Sequence, residues 1–226
     1  VVVLFSFVNA AMASGIQRFL NFYLGKNDLE KTNQVYSSSI IILLIISLIF
    51  IFMAETLGLW FVSKKLNIPI ERHNAAMIAY QFTIVTTVFS IMRIPYSATV
   101  IAYEKMSFFA WTSIVEAVFK LLVAFVLKVF LFDILILYAI LLTVVAMIIT
   151  FIYKIFCNKK FSIAHYKKVT DYGFVKELLS FSGWSLFGAT ANVCNSQGIN
   201  LRLNIFTNVV VIASMGIANQ VNSVIY

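Results

Sequence analysis

An all-α fold, a polytopic transmembrane helical bundle, is what this sequence predicts, and three observations carry the prediction. Of the 226 residues 62% are hydrophobic and only 12% charged, whereas a soluble domain has roughly half its residues apolar and about a quarter charged. The mean hydropathy is +0.95. The apolar residues fall in runs long enough for a helix to cross a bilayer core, which takes about 20 residues, and none shows the alternation of a barrel strand of about 10 residues. With two prolines and eight glycines, a turn-rich sandwich, a collagen and a Pro/Gly-rich disordered chain are excluded. A soluble enzyme is excluded as well, because a water-soluble fold would expose large apolar patches.

The spans follow in order along the chain. The first covers residues 1–17, entered part-way along an apolar run that opens without Met. The second is Ser37–Val62, around the dense run Ile40–Met53. The third is Ala75–Ala102, interrupted near Pro95, which removes a helix hydrogen bond. Ser107–Leu131 and Ile134–Cys157 are the fourth and fifth. A more polar sixth span covers Phe174–Phe206, and Asn208–Tyr226 opens a seventh that ends inside an apolar run. Both ends therefore read as cuts within a longer chain.

Lys and Arg in the connections orient such a bundle, the richer side being cytoplasmic. One side carries Arg18, Lys26, Lys31, Arg93, Lys105, Lys154, Lys159, Lys160, Lys167, Lys168 and Lys176; the other carries Lys64, Lys65, Arg72, Lys128 and Arg202. The net charge of +8 thus reflects topology and contact with anionic lipid headgroups, and no nucleic-acid partner is expected. Trp60 and Trp111 read as interfacial anchors, and Glu55 as an interface residue beside Trp60. The basic connection 158–176 is the best boundary in the chain. It separates residues 1–157 from 177–226.

Most enzyme chemistry is missing from the sequence. Cys157 and Cys194 are far apart and lack a CxxC partner, so neither zinc nor redox chemistry is indicated. His73 and His165 fall in connections on opposite sides of the membrane. The stretch Gly183–Gly188 has the glycine spacing of a phosphate loop but lacks its Lys and preceding strand, and small residues there suit close helix packing. No catalytic residue, metal ligand or cofactor is expected.

The informative residues are polar groups within the spans. Glu116 and Lys120 are four apart and share one helical face, with Thr112 a turn earlier. On insertion scales each charge costs roughly 2.5–3.5 kcal/mol at mid-membrane, so the pair should turn inward, either as a self-satisfied pin or as a cavity-lining pair. Removing one partner should then harm the protein more than removing both. A second group lies in the sixth span. At about 100° per residue, Asn192, Ser196, Asn200 and Asn204 fall at roughly 0°, 40°, 80° and 120°, and Asn195 at about −60°. This broad polar stripe fits a water-accessible pathway or interhelical hydrogen bonds. Asn219, Gln220 and Asn222 extend it into the last span, and neutral amides suit a large hydroxyl-rich ligand better than a small ion.

A family resemblance rests on strings that recur in order. These are Arg18–Phe19 and Leu24–Gly25–Lys26, AETLGLWF over Ala54–Phe61, Ile68–Pro69, Glu71–Arg72, Tyr80–Gln81–Phe82, Pro95–Tyr96 and IAYEKM over Ile101–Met106. Later come SFSGW over Ser180–Trp184, Phe187–Gly188, SQGIN over Ser196–Asn200, Gly216–Ile217–Ala218 and Gln220–Val221–Asn222. Over essentially the whole chain the sequence resembles bacterial polysaccharide or lipopolysaccharide flippases of the O-antigen translocase type, in the multidrug/oligosaccharidyl-lipid/polysaccharide exporter superfamily. It departs where such proteins carry a basic residue before Gly-Ile-Ala and this chain has Met215, which puts an anion-holding role there in doubt.

The resemblance implies a MATE-like fold of twelve to fourteen helices in two lobes, of which this chain would supply helices two to six of one lobe and the start of the other. It implies alternating access around a central cavity, with an undecaprenyl-diphosphate-linked oligosaccharide as substrate, membrane lipids as surroundings, a coupling cation as drive and the inner membrane as location. Glu116, Lys120, Asn192, Asn195, Ser196, Asn200, Asn204 and Gln220 are the expected pathway residues. A multidrug or cation antiporter of the same fold is the alternative, and a membrane-embedded glycosyl-transferring enzyme a further one.

Overall fold

A computed structural model describes residues 2–60, 73–129 and 133–164, and singly 176, 180, 183, 184 and 188. Among the described residues there is no strand. The helices are α1 (Val2–Gly25), α2 (Leu29–Met53, continued by a π turn Ala54–Gly58), α3 (His73–Ala102), α4 (Met106–Val129) and α5 (Ile134–Lys160), followed by a 3₁₀ turn Ser162–Ala164. Four of them, covering Leu29–Thr56, Asn74–Ala102, Met106–Lys128 and Ile134–Lys160, are long and apolar enough to cross a membrane. These are the dimensions of a membrane protein. The expected sixth and seventh spans lie outside the described residues.

The first five expected spans are found as helices, with boundaries corrected where polar residues are buried. α2 begins at Leu29 rather than near Ser37, because Asp28 caps it: its carboxylate accepts the Lys31 N–H at 3.0 Å. The polar turns that follow are not a connection, since Thr32, Asn33, Ser37, Ser38 and Ser39 are all buried. Small hydroxyl side chains let neighbouring backbones approach closely. α1 likewise runs on to Gly25 and turns through Asn27, whose φ of 54° is left-handed. Asn tolerates that conformation better than most residues. α3 continues unbroken through Pro95, contrary to the expected interruption. Pro95 is buried, and the Thr99 and Ser97 hydroxyls donate to the Pro95 and Ile94 carbonyls at 2.8 and 3.0 Å. Proline is tolerated inside a membrane helix where neighbouring helices support it, and the Tyr96 carbonyl, next to Pro95, meets Cys157 of the helix Ile134–Lys160.

Short connections make neighbours antiparallel. Residues 103–105 join α3 to α4 with Glu104 at φ 55°. The 26–28 turn, the 103–105 turn and the end of α5 share one end of the bundle. There Asn33 Nδ2 donates to the Ile163 carbonyl at 2.7 Å, and Gln17, Asn21, Ile101 and Glu104 line one shallow hollow. Lys26, Lys31, Lys105, Lys159 and Lys160 therefore belong to the same end, as the charge pattern requires. Phe161 closes this end by stacking on Tyr103 at 4.3 Å, and burial pushes the Tyr103 phenol pKa up from its ordinary value.

α3 and α5 run parallel and form the most extensive helix pair. A repeating seam joins them. Thr143 Oγ1 lies 3.1 Å from the Phe82 carbonyl, Thr150 Oγ1 3.2 Å from that of Phe89, and Cys157 Sγ 3.5 Å from that of Tyr96. Each donor sits 61 positions after its acceptor, and successive pairs advance by one heptad, the repeat that keeps two crossing helices in register. Thr86 and Thr143 hydroxyls add a contact at 2.8 Å. Interhelical bonds of this kind average about 0.6 kcal/mol each. The double change Thr143→Val, Thr150→Val is therefore expected to lower stability by about 1 kcal/mol, read as a modest drop in the unfolding midpoint in detergent.

Candidate functional site

Of the four candidate membrane spans among the described residues, α4 is the least enclosed. Its inward face carries Thr112 and Val123, both buried, with Phe108 and Phe119 packed against the core. Phe108 stacks on Phe156 at 3.6 Å and meets the Tyr153 ring edge-on at 5.4 Å. The Thr112 hydroxyl donates to the Tyr153 phenol oxygen at 2.9 Å. Trp111, Ile114, Leu121 and Phe125 are exposed, Trp111 to 71%, as expected of a helix apolar enough to span a membrane.

One turn beyond Thr112, Glu116 is held from two sides. Arg93 Nη1 of α3 donates to Glu116 Oε2 at 2.8 Å, and Lys120 Nζ lies 2.8 Å from Glu116 Oε1. Each carboxylate oxygen therefore has its own cation. Side-chain exposure is 27% for Arg93, 25% for Glu116 and 56% for Lys120, so the cluster is sheltered on the α3 side and open on the Lys120 side. The Arg93 guanidinium carbon is also 6.0 Å from the centre of the Tyr153 ring, within cation–π range. At 1.5 Å per residue, Arg93 and Glu116 both lie about 15 Å from the 103–105 turn, well inside the spans.

The structure thus brings Glu116 and Lys120 together as the sequence predicts, and adds a third member. Arg93 is not a residue of the inner connection, where the charge pattern assigns it. It lies within α3, because the helix passes through Pro95 and ends only at Ala102. The signal for it was present: Arg93 and Glu116 stand nine and ten residues on either side of a tight hairpin, hence at the same level. Asn192, Asn195, Ser196, Asn200, Asn204 and Gln220 lie outside the described residues.

One carboxylate between two permanent cations leaves a net charge of +1. The ammonium has three N–H donors and the guanidinium five, so donors remain beyond those that hold Glu116. Such a cluster can take a second anion while keeping its own. It has no candidate nucleophile with a base, and no group of three metal-ligating side chains occurs among the described residues.

Two other features were weighed as sites. A hollow of about 480 Å³ between α4 and α5, lined by Phe108, Trp111, Val115, Phe119 and Ile152, is apolar. Trp111 and Lys120 are nine residues apart, which at about 100° per residue puts them on opposite flanks of α4. The hollow is therefore an apolar groove on the flank of α4 away from Lys120, separate from the ion cluster. At the other end of the bundle Glu55, in the π turn, accepts from the Gln81 amide at 3.3 Å, consistent with an interfacial position. Comparison with protein-family models, with curated proteins and with solved structures returns no match.

Proposed function

We propose that the chain is part of a membrane transporter that flips an undecaprenyl-diphosphate-linked oligosaccharide across the bacterial inner membrane for surface polysaccharide assembly. In this reading the described helices belong to one lobe of a MATE-like, two-lobed transporter of the O-antigen translocase type. The observation that supports it is the bonded cluster Arg93–Glu116–Lys120 within the spans, open on one side and carrying a surplus positive charge. A charge at this depth is expensive against lipid and marks a substrate pathway more often than a structural ornament. Arg and Lys are also the side chains that best hold phosphate oxygens.

The flippase would bring the diphosphate to Arg93 and Lys120, while the amide stripe Asn192, Asn195, Ser196, Asn200 and Asn204, with Gln220, would meet the sugar hydroxyls. A gradient of a small cation would drive the alternation between inward-open and outward-open forms. The surplus of positive charge speaks against the multidrug or cation antiporter, because such a seat repels cationic cargo. A glycosyl-transferring enzyme needs acid–base or metal-binding side chains, and no group of three metal-ligating side chains occurs among the described residues.

A deletion strain tests the reading. Loss of the gene should abolish surface polysaccharide and leave lipid-linked oligosaccharide on the cytoplasmic leaflet. The full-length wild-type protein should restore export. Arg93→Met, Lys120→Met should restore less than a tenth of it, since two charge-assisted bonds of about 1.5 kcal/mol or more each are removed. Normal polymer made without the protein, or full rescue by the double variant, would refute the proposal.

A further inference from the structure

We propose that Glu116 is the selectivity residue of this cation pair, a resident counter-anion that keeps monoanionic phospholipids off Arg93 and Lys120 yet gives way to a diphosphate. The inference rests on the flippase reading and concerns what that same site refuses. Two cations open to the interior of a membrane can be reached by anionic phospholipids, present in great excess over any lipid-linked sugar. With a charge of +2 and no carboxylate, the pair would be occupied by the first phosphodiester to reach it.

Glu116 changes that balance through its geometry. Both of its oxygens are engaged, each by a separate cation at 2.8 Å. Glu116 and Lys120 share one helix, four residues apart, so the carboxylate reaches both cations without moving the backbone. A phospholipid with one negative charge meets a cluster of net charge +1 instead of +2, in which each cation already spends a donor on a tethered carboxylate. Its attraction is roughly halved, and it must still give up its own freedom to bind. A diphosphate brings at least one more charge and several more acceptor oxygens, so it can engage donors that Glu116 leaves unused. The open side at Lys120, 56% exposed, is where it would enter. Specificity would come from a repulsive element already seated in the pocket.

The test uses the full chain purified in uncharged detergent, with farnesyl diphosphate as the diphosphate probe and dioleoylphosphatidylglycerol as the monoanionic one. Binding is followed with radiolabelled farnesyl diphosphate, competition by the phospholipid, and lipid occupancy by native mass spectrometry. Wild type should prefer farnesyl diphosphate by at least about tenfold, a gap that one extra charge at contact distance supplies. Glu116→Gln should bind phosphatidylglycerol about tenfold tighter than wild type does, and its preference should fall below about threefold. Lys128→Met, a change of the cation two turns further along α4, should leave both affinities alone.

Should Glu116→Gln fail to fold, Arg93→Met, Glu116→Gln leaves only the exposed Lys120 cation and should take up phosphatidylglycerol. Rejection of that lipid as firmly as by wild type would overturn the inference. Unchanged preference in Glu116→Gln would overturn it too, while leaving the flippase reading intact. If Arg93→Met and Lys120→Met do not alter farnesyl diphosphate binding at all, the reading of the site falls and the inference with it.

Discussion

Replacing Glu116 by Leu is expected to cost about 3 kcal/mol of stability, the range for breaking a sheltered ion pair by removing one partner. The reason lies in the charge left behind. Without Glu116, Arg93 and Lys120 form a +2 cluster with no carboxylate between them. Arg93→Met instead leaves Glu116 and Lys120 as a neutral pair on one helix, and Lys120→Met leaves the 2.8 Å bond between Arg93 and Glu116. Each of these should cost about 1 kcal/mol, nearer to an exposed pair, since Lys120 is more than half exposed. The order of midpoints in a detergent unfolding series checks this: Glu116→Leu lowest, the two cation variants well above it. Arg93 also changes what a pair alone implies. Glu116→Gln should still be worse than Glu116→Gln, Lys120→Met, but Lys120→Met should now be milder than that double change. Equal losses from Lys120→Met and Glu116→Leu would show that charge balance does not govern the cluster.

The helical, membrane-spanning architecture was legible because run length and composition are bulk properties that tertiary detail does not alter. The five described helices all coincide with expected spans, and errors arose where local chemistry competes with hydropathy. The Thr32–Tyr36 segment, before the expected start at Ser37, is too polar to count as span by hydropathy, yet most of it is buried, since hydroxyls can bond within the helix. Ser39 donates to the Tyr36 carbonyl and Thr32 to that of Asp28, both at 2.7 Å. Pro95 looks like a break only if nothing else supports the helix. Arg93 was misplaced for that reason, and with it the α3 side of the site. The heptad seam of Thr143, Thr150 and Cys157 was invisible to a reading of functional groups, because each residue alone is unremarkable and only the constant offset between two helices gives it meaning. Cys157, for which the sequence indicates neither zinc nor redox chemistry, is buried and forms part of that seam.

The π turn at the other end of α2 carries the second large effect. Gly58 is buried, and a Cβ built on it would fall on the Tyr80 hydroxyl and within 3.0 Å of the ring carbon bearing it. That hydroxyl donates to the Ala54 carbonyl at 2.7 Å, at the start of the five-residue π segment Ala54–Gly58. Widened turns of this kind occur mostly as single interruptions of an α-helix, and here the aromatic side chain from α3 occupies the space opened. Gly58→Ala should therefore displace Tyr80 and destabilise by about 2 kcal/mol through overpacking, with about 1 kcal/mol more from the lost hydrogen bond. Tyr80→Phe alone should cost only that bond. In Gly58→Ala, Tyr80→Phe the hydroxyl clash is gone but the ring carbon is still close, so rescue should be partial and the two effects clearly non-additive. A double-mutant cycle of unfolding midpoints measures the coupling. Strict additivity would mean that Tyr80 does not pack against Gly58, and the π turn would then need another cause.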